Sequence, residues 1–171
     1  KTNKTKQTQK LAKLLNFGEA RMPKKGLGVD VLSAAKQRIS WTFDEFDKIY
    51  CSFSAGKDSG VMTHLVCQEA RKRGRKIGLF FLDWEAQFTL TIEFAKSIYA
   101  EYADCIDPYW VSVPIKTWNA VSVYEPEWTA WDESKKNLWV RQPDPISITN
   151  TDIFPFWYDG IMFEEFVPTF G

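Results

Sequence analysis

Histidine occurs once in the 171 residues and cysteine three times. His64 has no second histidine to form a metal pair, and no Ser-His-Asp spacing surrounds it. It shares the polar side of a helical repeat with Gly60 and Gln68, which directs it toward solvent. Cys51, Cys67 and Cys105 stand far apart with no CxxC pair, which removes a zinc or disulfide framework and fits a reducing compartment. Buried, inert thiols are the expectation for all three. No apolar run reaches the ~18–20 residues of a membrane span, and the N-terminus lacks the apolar core of a signal peptide. The expectation is a cytoplasmic protein without a membrane partner. Net charge is absent too, Lys+Arg and Asp+Glu being 22 each. Only its distribution is uneven: residues 1–25 are lysine-rich with the single acid Glu19, and the last twenty residues carry acids alone. Direct nucleic-acid binding by that basic segment is weighed against a solvated terminus, and the terminus is the preferred reading.

What the chain does have is concentrated in one stretch. Ile49 to Phe53 are mostly apolar, aromatic or small, as in a strand covered on both faces. Ser54-Ala55-Gly56-Lys57-Asp58-Ser59-Gly60 follows, dense in glycine and hydroxyls. Val61, Met62, Leu65 and Val66 then recur at helical spacing, and Gly74 is placed to end the helix. A Gly/Ser loop opening a helix offers unpaired N–H groups and the positive end of the helix dipole, the requirements for holding phosphate. The Walker pattern does not fit, because Asp58 follows Gly56-Lys57 and Cys51 occupies the place of its first glycine. The dinucleotide fingerprint does not fit either, because no strand precedes Gly26-Leu27-Gly28.

Around this stretch the periodicity predicts an α/β fold. Asp30 caps a helix through Val31, Leu32, Ala34, Ala35, Arg38 and Ile39. A second strand is expected at Ile77–Leu82, and the βαβ spacing makes it parallel to the first with a right-handed crossover. Phe88, Ile92, Ala95, Tyr99 and Tyr102 mark another helix. A third strand is expected at Tyr109–Val113, stopped by Pro114. Three strands alternating with helices make an open, mostly parallel twisted sheet, with ligands at the C-terminal strand ends where the Ser54 loop and Asp83 lie. Beyond Pro114 periodicity dissolves into aromatics, prolines and charges, read as the packing of an irregular segment in preference to a base-stacking platform. The expected organisation is a basic N-terminal segment at 1–29, an α/β core at 30–115, and an aromatic-rich irregular extension at 116–171 that opens a longer C-terminal half.

The loop as Ser54-Ala55-Gly56-Lys57-Asp58-Ser59 resembles the PP-loop of the ATP pyrophosphatase (adenine nucleotide alpha hydrolase-like) superfamily, usually Ser-Gly-Gly-Lys-Asp-Ser, with alanine in place of the first glycine. Val31–Ile39, Phe43–Asp47, Phe81-Leu82-Asp83-Trp84-Glu85, Trp128–Trp131, Trp139-Val140-Arg141 and Phe163–Pro168 extend the likeness. They resemble phosphoadenosine phosphosulfate reductase-like proteins, closest to a bacterial and phage group related to the immunoglobulin-binding regulator and DNA-phosphorothioation sulfur-transfer types. The resemblance implies that Ser52, Phe53, Ser54, Ala55, Gly56, Lys57, Asp58, Ser59, Gly60 and Asp83 bind an adenine nucleotide, ATP or phosphoadenosine phosphosulfate. Lys57 and Asp58 would carry catalysis, Asp58 holding Mg²⁺ or capping the helix. Asp83 lies near the nucleoside or in a simple turn. Arg141 and Lys135 steer an anionic substrate or sit in exposed ion pairs. The reductase cysteine motif is missing, and no iron–sulfur cluster is expected. Three activities follow: adenylation of an acceptor with release of pyrophosphate, sulfur or sulfate transfer, and silent nucleotide binding that regulates a nuclease-like or DNA-associated protein partner.

Overall fold

The computed structural model describes residues 26 and 28–170. The basic segment at 1–25 lies outside them. The chain divides after Ala35 into a short N-terminal unit and a main unit from Lys36 onward; the first helix, α1, is Val31–Glu45. In the short unit Asp30 caps α1 as expected, accepting from the Ser33 N–H at 2.9 Å and the Ser33 hydroxyl at 2.6 Å. α1 runs six residues past Ile39, because Phe43 is buried in the core with Ile39 packed beside it.

The main unit is built on a parallel three-stranded sheet in the order β1 (Tyr50–Ser52), β2 (Ile77–Leu82), β3 (Ile106–Val111). Helix α2 (Lys57–Arg73) crosses from β1 to β2, and α3 (Thr89–Glu101) from β2 to β3. Gly74 takes the left-handed conformation (φ 62°) that ends α2, a position where a side chain is costly. β2 is apolar throughout because both of its faces are covered. Leu79 and Phe81 face a core that holds Cys51, Phe53, Val66, Ala95 and Trp110. Phe80 and Leu82 face a second core made with Val113, Ile115, Phe154, Ile161 and Phe166.

β3 begins earlier and ends sooner than the expected Tyr109–Val113, and it includes Pro108. The hydrogen bonds from Ser112 N to Ile148 O (2.9 Å) and from Ile148 N to Trp110 O (2.7 Å) show that even-numbered residues turn their backbone away from β2. Pro108 therefore lacks its N–H on the outer edge, where none is needed.

The aromatic-rich extension is more regular than expected. β4 (Ile115–Trp118) and β5 (Glu127–Ala130) form an antiparallel ribbon with Ile115 opposite Ala130. Two 3₁₀ turns follow, Glu133–Leu138 and Thr151–Ile153, and then α4 (Phe163–Phe170). Phe166 of α4 stacks on Phe80 at 6.5 Å and meets Phe154 edge-on at 5.1 Å, so the extension completes the core on that face of the sheet.

The basic run from Arg71 to Lys76 is spent on internal contacts. Arg71 holds Asp104 at 2.7 Å, Arg73 holds Asp44 and Glu69 at 2.5 and 2.6 Å, and Lys76 reaches Asp107 at 3.6 Å. Arg75 donates to the carbonyls of Phe43, Phe46 and Asp47 at 2.6, 2.7 and 2.7 Å, filling the orphan acceptors at the end of α1.

Candidate functional site

The loop after β1 lies at the C-terminal end of the sheet. Phe53 continues the strand pairing, its N–H donating to Phe80 O at 2.8 Å. Its side chain is buried against Phe81 and Phe94, so of the expected binding residues Phe53 offers the site only backbone. Ser52 is exposed at the strand end. The loop then turns through Ala55 at φ 56°. Left-handed backbone costs an L-residue roughly 1–2 kcal/mol, yet the chain adopts here the conformation that a glycine would take freely.

Two serines hold the turn. The Ser59 hydroxyl donates to Gly56 O at 3.0 Å and accepts from the Ser54 N–H at 3.2 Å. With that proton committed, the Ser54 hydroxyl donates to Ser59 Oγ at 2.9 Å while accepting from the Gly56 N–H at 3.4 Å. Both hydroxyl protons expected to reach a ligand are thus engaged inside the loop. Gly60 also differs from expectation. Its N–H donates to Gly56 O at 2.9 Å, as the first internal bond of α2. A Cβ at Gly60 would meet the Phe94 ring at 3.0 Å, so glycine is required there by helix packing. Gly56 is the N-cap of α2 and makes no side-chain cap bond, which leaves Asp58 in the first turn rather than at the cap. The open donors are the first-turn N–H groups of α2 and the ammonium of Lys57, and Lys57 and Asp58 are exposed. The first-turn N–H groups have no backbone acceptor within the helix, and the positive end of the helix dipole lies there together with Lys57 and the Asp58 carboxylate.

Beside the loop, at the end of β2, lies a buried polar network. Asp83 is 1% exposed. Its Oδ2 accepts from Trp110 Nε1 at 2.9 Å, Ser112 Oγ at 3.3 Å and an Arg141 terminal nitrogen at 3.0 Å, and the other Arg141 nitrogen bonds Oδ1. The Asp83 carboxylate thus faces Arg141 and the indole, and Arg141 sits in a buried bidentate ion pair. The Arg141 guanidinium lies 5.1 Å over the Trp131 ring, and its Nε is buried without a partner. Trp131 is itself at φ 53° and 2% exposed, with its indole donating to Asp83 O and its N–H to Glu85 Oε2 at 3.2 Å. Lys135 makes the exposed contact, to Asp132 at 3.9 Å.

Sequence reasoning assigned no role to Glu85, Trp110, Ser112 or Trp131. Glu85 and Trp131 stood in the stretches that carry the family resemblance, which was the available signal. His64 is not turned to solvent: it is half-buried, its Nδ1 meeting the Tyr102 hydroxyl with the rings edge-on at 5.4 Å. Burial pushes the Tyr102 phenol up to about 12. The three thiols are buried, and desolvation raises those of Cys51 and Cys67 well above the usual range. Among the described residues no group of three or more His, Cys, Asp or Glu is placed to hold a metal, and no helix is long and apolar enough to cross a membrane.

A parallel sheet whose first strand breaks into a hydroxyl-bound Ser-x-Gly-Lys-Asp-Ser loop and opens a helix defines a PP-loop nucleotide-binding α/β protein. Residues 48–145, more than half of the chain, match the phosphoadenosine phosphosulfate reductase domain, and the chain belongs to that family. It is 45% identical over 146 residues to the uncharacterized protein YbdN of Escherichia coli (strain K12), an alignment that covers 85% of this chain and 36% of that protein. The chain therefore spans little more than a third of that relative's length. No solved structure matches it.

Proposed function

We propose that the chain is the adenine-nucleotide-binding core of a PP-loop enzyme of the ATP pyrophosphatase type. An acceptor oxygen attacks the α-phosphorus, the bond from that phosphorus to the bridging oxygen breaks, and pyrophosphate leaves. The observation that carries this reading is the loop itself. Its serines lock the turn, while the first-turn N–H groups of α2 and the exposed Lys57 stay open to an anion. The open first-turn N–H groups of α2, from Lys57 to Ser59, would receive the phosphates, and the Lys57 ammonium would meet the negative charge gathering on the departing pyrophosphate. Such a reaction needs chiefly positioning and charge stabilisation. The left-handed Ala55 supports a competent loop, since the turn forms despite the Cβ. Asp58 fits a Mg²⁺ role of the limited kind found in nucleotide sites, one carboxylate completed by phosphate oxygens and water. Bound there, the ion would neutralise phosphate charge.

Sulfur transfer from phosphoadenosine phosphosulfate is the second reading, favoured by the family match. Cys51, Cys67 and Cys105 do not supply its nucleophile, because burial keeps them protonated. A thiol for that reaction would come from another source.

Calorimetric titration with ATP–Mg²⁺ and with phosphoadenosine phosphosulfate, followed by product assay, tests both. ATP binding with pyrophosphate release is expected, and Lys57→Ala should abolish it with the fold intact. Unchanged affinity in Lys57→Ala refutes the loop assignment. Sulfite release selects the second reading, and tight binding without turnover makes the chain a regulatory nucleotide-binding module.

A further inference from the structure

We propose that Glu85 determines nucleotide specificity by accepting hydrogen bonds from the donor-bearing part of the bound nucleotide, its ribose hydroxyls or the amino group of its base. The inference rests on the nucleotide-binding reading above. Glu85 is 8% exposed, and its one hydrogen bond among the described residues is from the Trp131 N–H to Oε2 at 3.2 Å. Its other oxygen has no partner there, and no cation pairs with it among the described residues. The neighbouring carboxylate cannot share its counter-charge. Both terminal nitrogens of Arg141 are bonded to Asp83, which also takes the Trp110 indole and the Ser112 hydroxyl. The network thus holds two buried carboxylates and one guanidinium. The free oxygen is not among the fully buried unpartnered side-chain atoms, Gln87 Oε1 and Arg141 Nε, so it reaches the surface, where donors that arrive with a ligand can complete it.

Register places those donors. Ser52 pairs with Phe80 in adjacent parallel strands, and Phe53 N donates to Phe80 O. The chain leaves β1 into the loop at Ser54 and leaves β2 toward Glu85 at Asp83, on the same crest and about one strand spacing, ~4.8 Å, apart. A nucleotide with its phosphates on the loop extends its uncharged end over β2. A second carboxylate would repel phosphate, so Glu85 suits the sugar or base and not the anionic end.

Holding Trp131 in its left-handed turn is the competing role, and Glu85→Gln separates the two because it keeps an oxygen for the Trp131 N–H. The near-ultraviolet circular dichroism of the variant should match the wild type. Its Kd for ATP–Mg²⁺ should rise about tenfold or more, the loss of a charge-assisted bond, while its Kd for inorganic pyrophosphate stays put. In the wild type, 2′-deoxy-ATP and 3′-deoxy-ATP report the ribose and inosine triphosphate reports the amino group. The analogue that loses the same factor, and loses nothing further in Glu85→Gln, names the donor. Equal affinity of the wild type for ATP and all three analogues overturns the proposal without any variant, as does an unchanged ATP Kd in Glu85→Gln. Wild-type protein that binds neither ATP nor pyrophosphate refutes the nucleotide reading itself, and this inference falls with it.

Discussion

Removing Arg141 tests whether the network at the end of β2 is as tightly coupled as its geometry requires. The Arg141 side chain is 21% exposed and that of Asp83 fully buried, so the pair is weakly screened. Arg141→Met deletes two charge-assisted bonds and the contact with the Trp131 ring. The Asp83 charge is left with the Trp110 indole and the Ser112 hydroxyl. Breaking a buried pair from one side costs about 3–5 kcal/mol, most of it the stranded charge. Asp83→Asn strands the less buried partner and keeps an oxygen for Trp110 and Ser112, so about 2–3 kcal/mol is expected. The double variant strands nothing, and its cost should fall short of the sum by about 2 kcal/mol or more. Urea unfolding followed by tryptophan fluorescence suits the question, because Trp110 and Trp131 are the reporters inside the network. An Arg141→Met cost below about 1 kcal/mol, or additivity within ~0.5 kcal/mol, would refute the coupling.

Three further expectations concern the loop and the ion pairs. Gly60→Ala gains about 1 kcal/mol of helix propensity but drives a methyl to 3.0 Å from the Phe94 ring, so a net loss of about 1 kcal/mol is expected. The same substitution in a Phe94→Ala background should stabilise, and stabilisation with Phe94 intact would contradict the packing account. Ala55→Val puts a β-branched residue at φ 56° and should cost about 2 kcal/mol, whereas Ala55→Gly should change stability by no more than about 0.5 kcal/mol; equal effects in thermal melts would show that the left-handed turn is not formed. Arg73 holds the carboxyls of Asp44 and Glu69 below their usual values of 3.8 and 4.5, and Arg71 does so for Asp104. Lowered folded pKa values give stability that is complete above about pH 4.5 and lost as pH falls through the depressed values. Tyr102 acts oppositely, contributing fully below pH 10 and losing its contribution as pH rises toward about 12. Urea midpoints across pH should trace both limbs, and Arg73→Ala should flatten the acid one; an unaltered acid limb would remove Arg73 as its cause.

The legible parts of the fold were local. Ser54 to Gly60 sits between a run of strand-forming residues and a helical repeat closed by Gly74, so strand, loop and helix are written within about one βαβ unit. The parts that were not legible depend on distant partners. The ribbon pairs Ile115 with Ala130 across a long loop with no tight-turn signal. Asp83 and Arg141 lie 58 residues apart in the chain, and a guanidinium in sequence looks the same whether it meets solvent or a buried carboxylate. Trp131 at φ 53° carries no local cue, because its conformation is imposed by Asp83 and Glu85. Gly60 was read as part of a phosphate cradle, since a glycine spared for a ligand and one spared for the Phe94 ring are identical on the page.

The clamped far end of α2 has a mechanical consequence. Arg73 ties it to Asp44 and Ser40, and Arg75, just beyond the helix, grips the end of α1. Arg71 fastens it to the Glu101 carbonyl at the end of α3 and to Asp104 just beyond it. The helix behaves as a strut with one fixed foot. These bonds resist sliding along its axis when an anion pulls on its free N-terminus. Accommodation of an anion would fall on the four residues between β1 and the strut, Phe53 to Gly56, where Ala55 takes its left-handed turn and the serine hydroxyls are bonded.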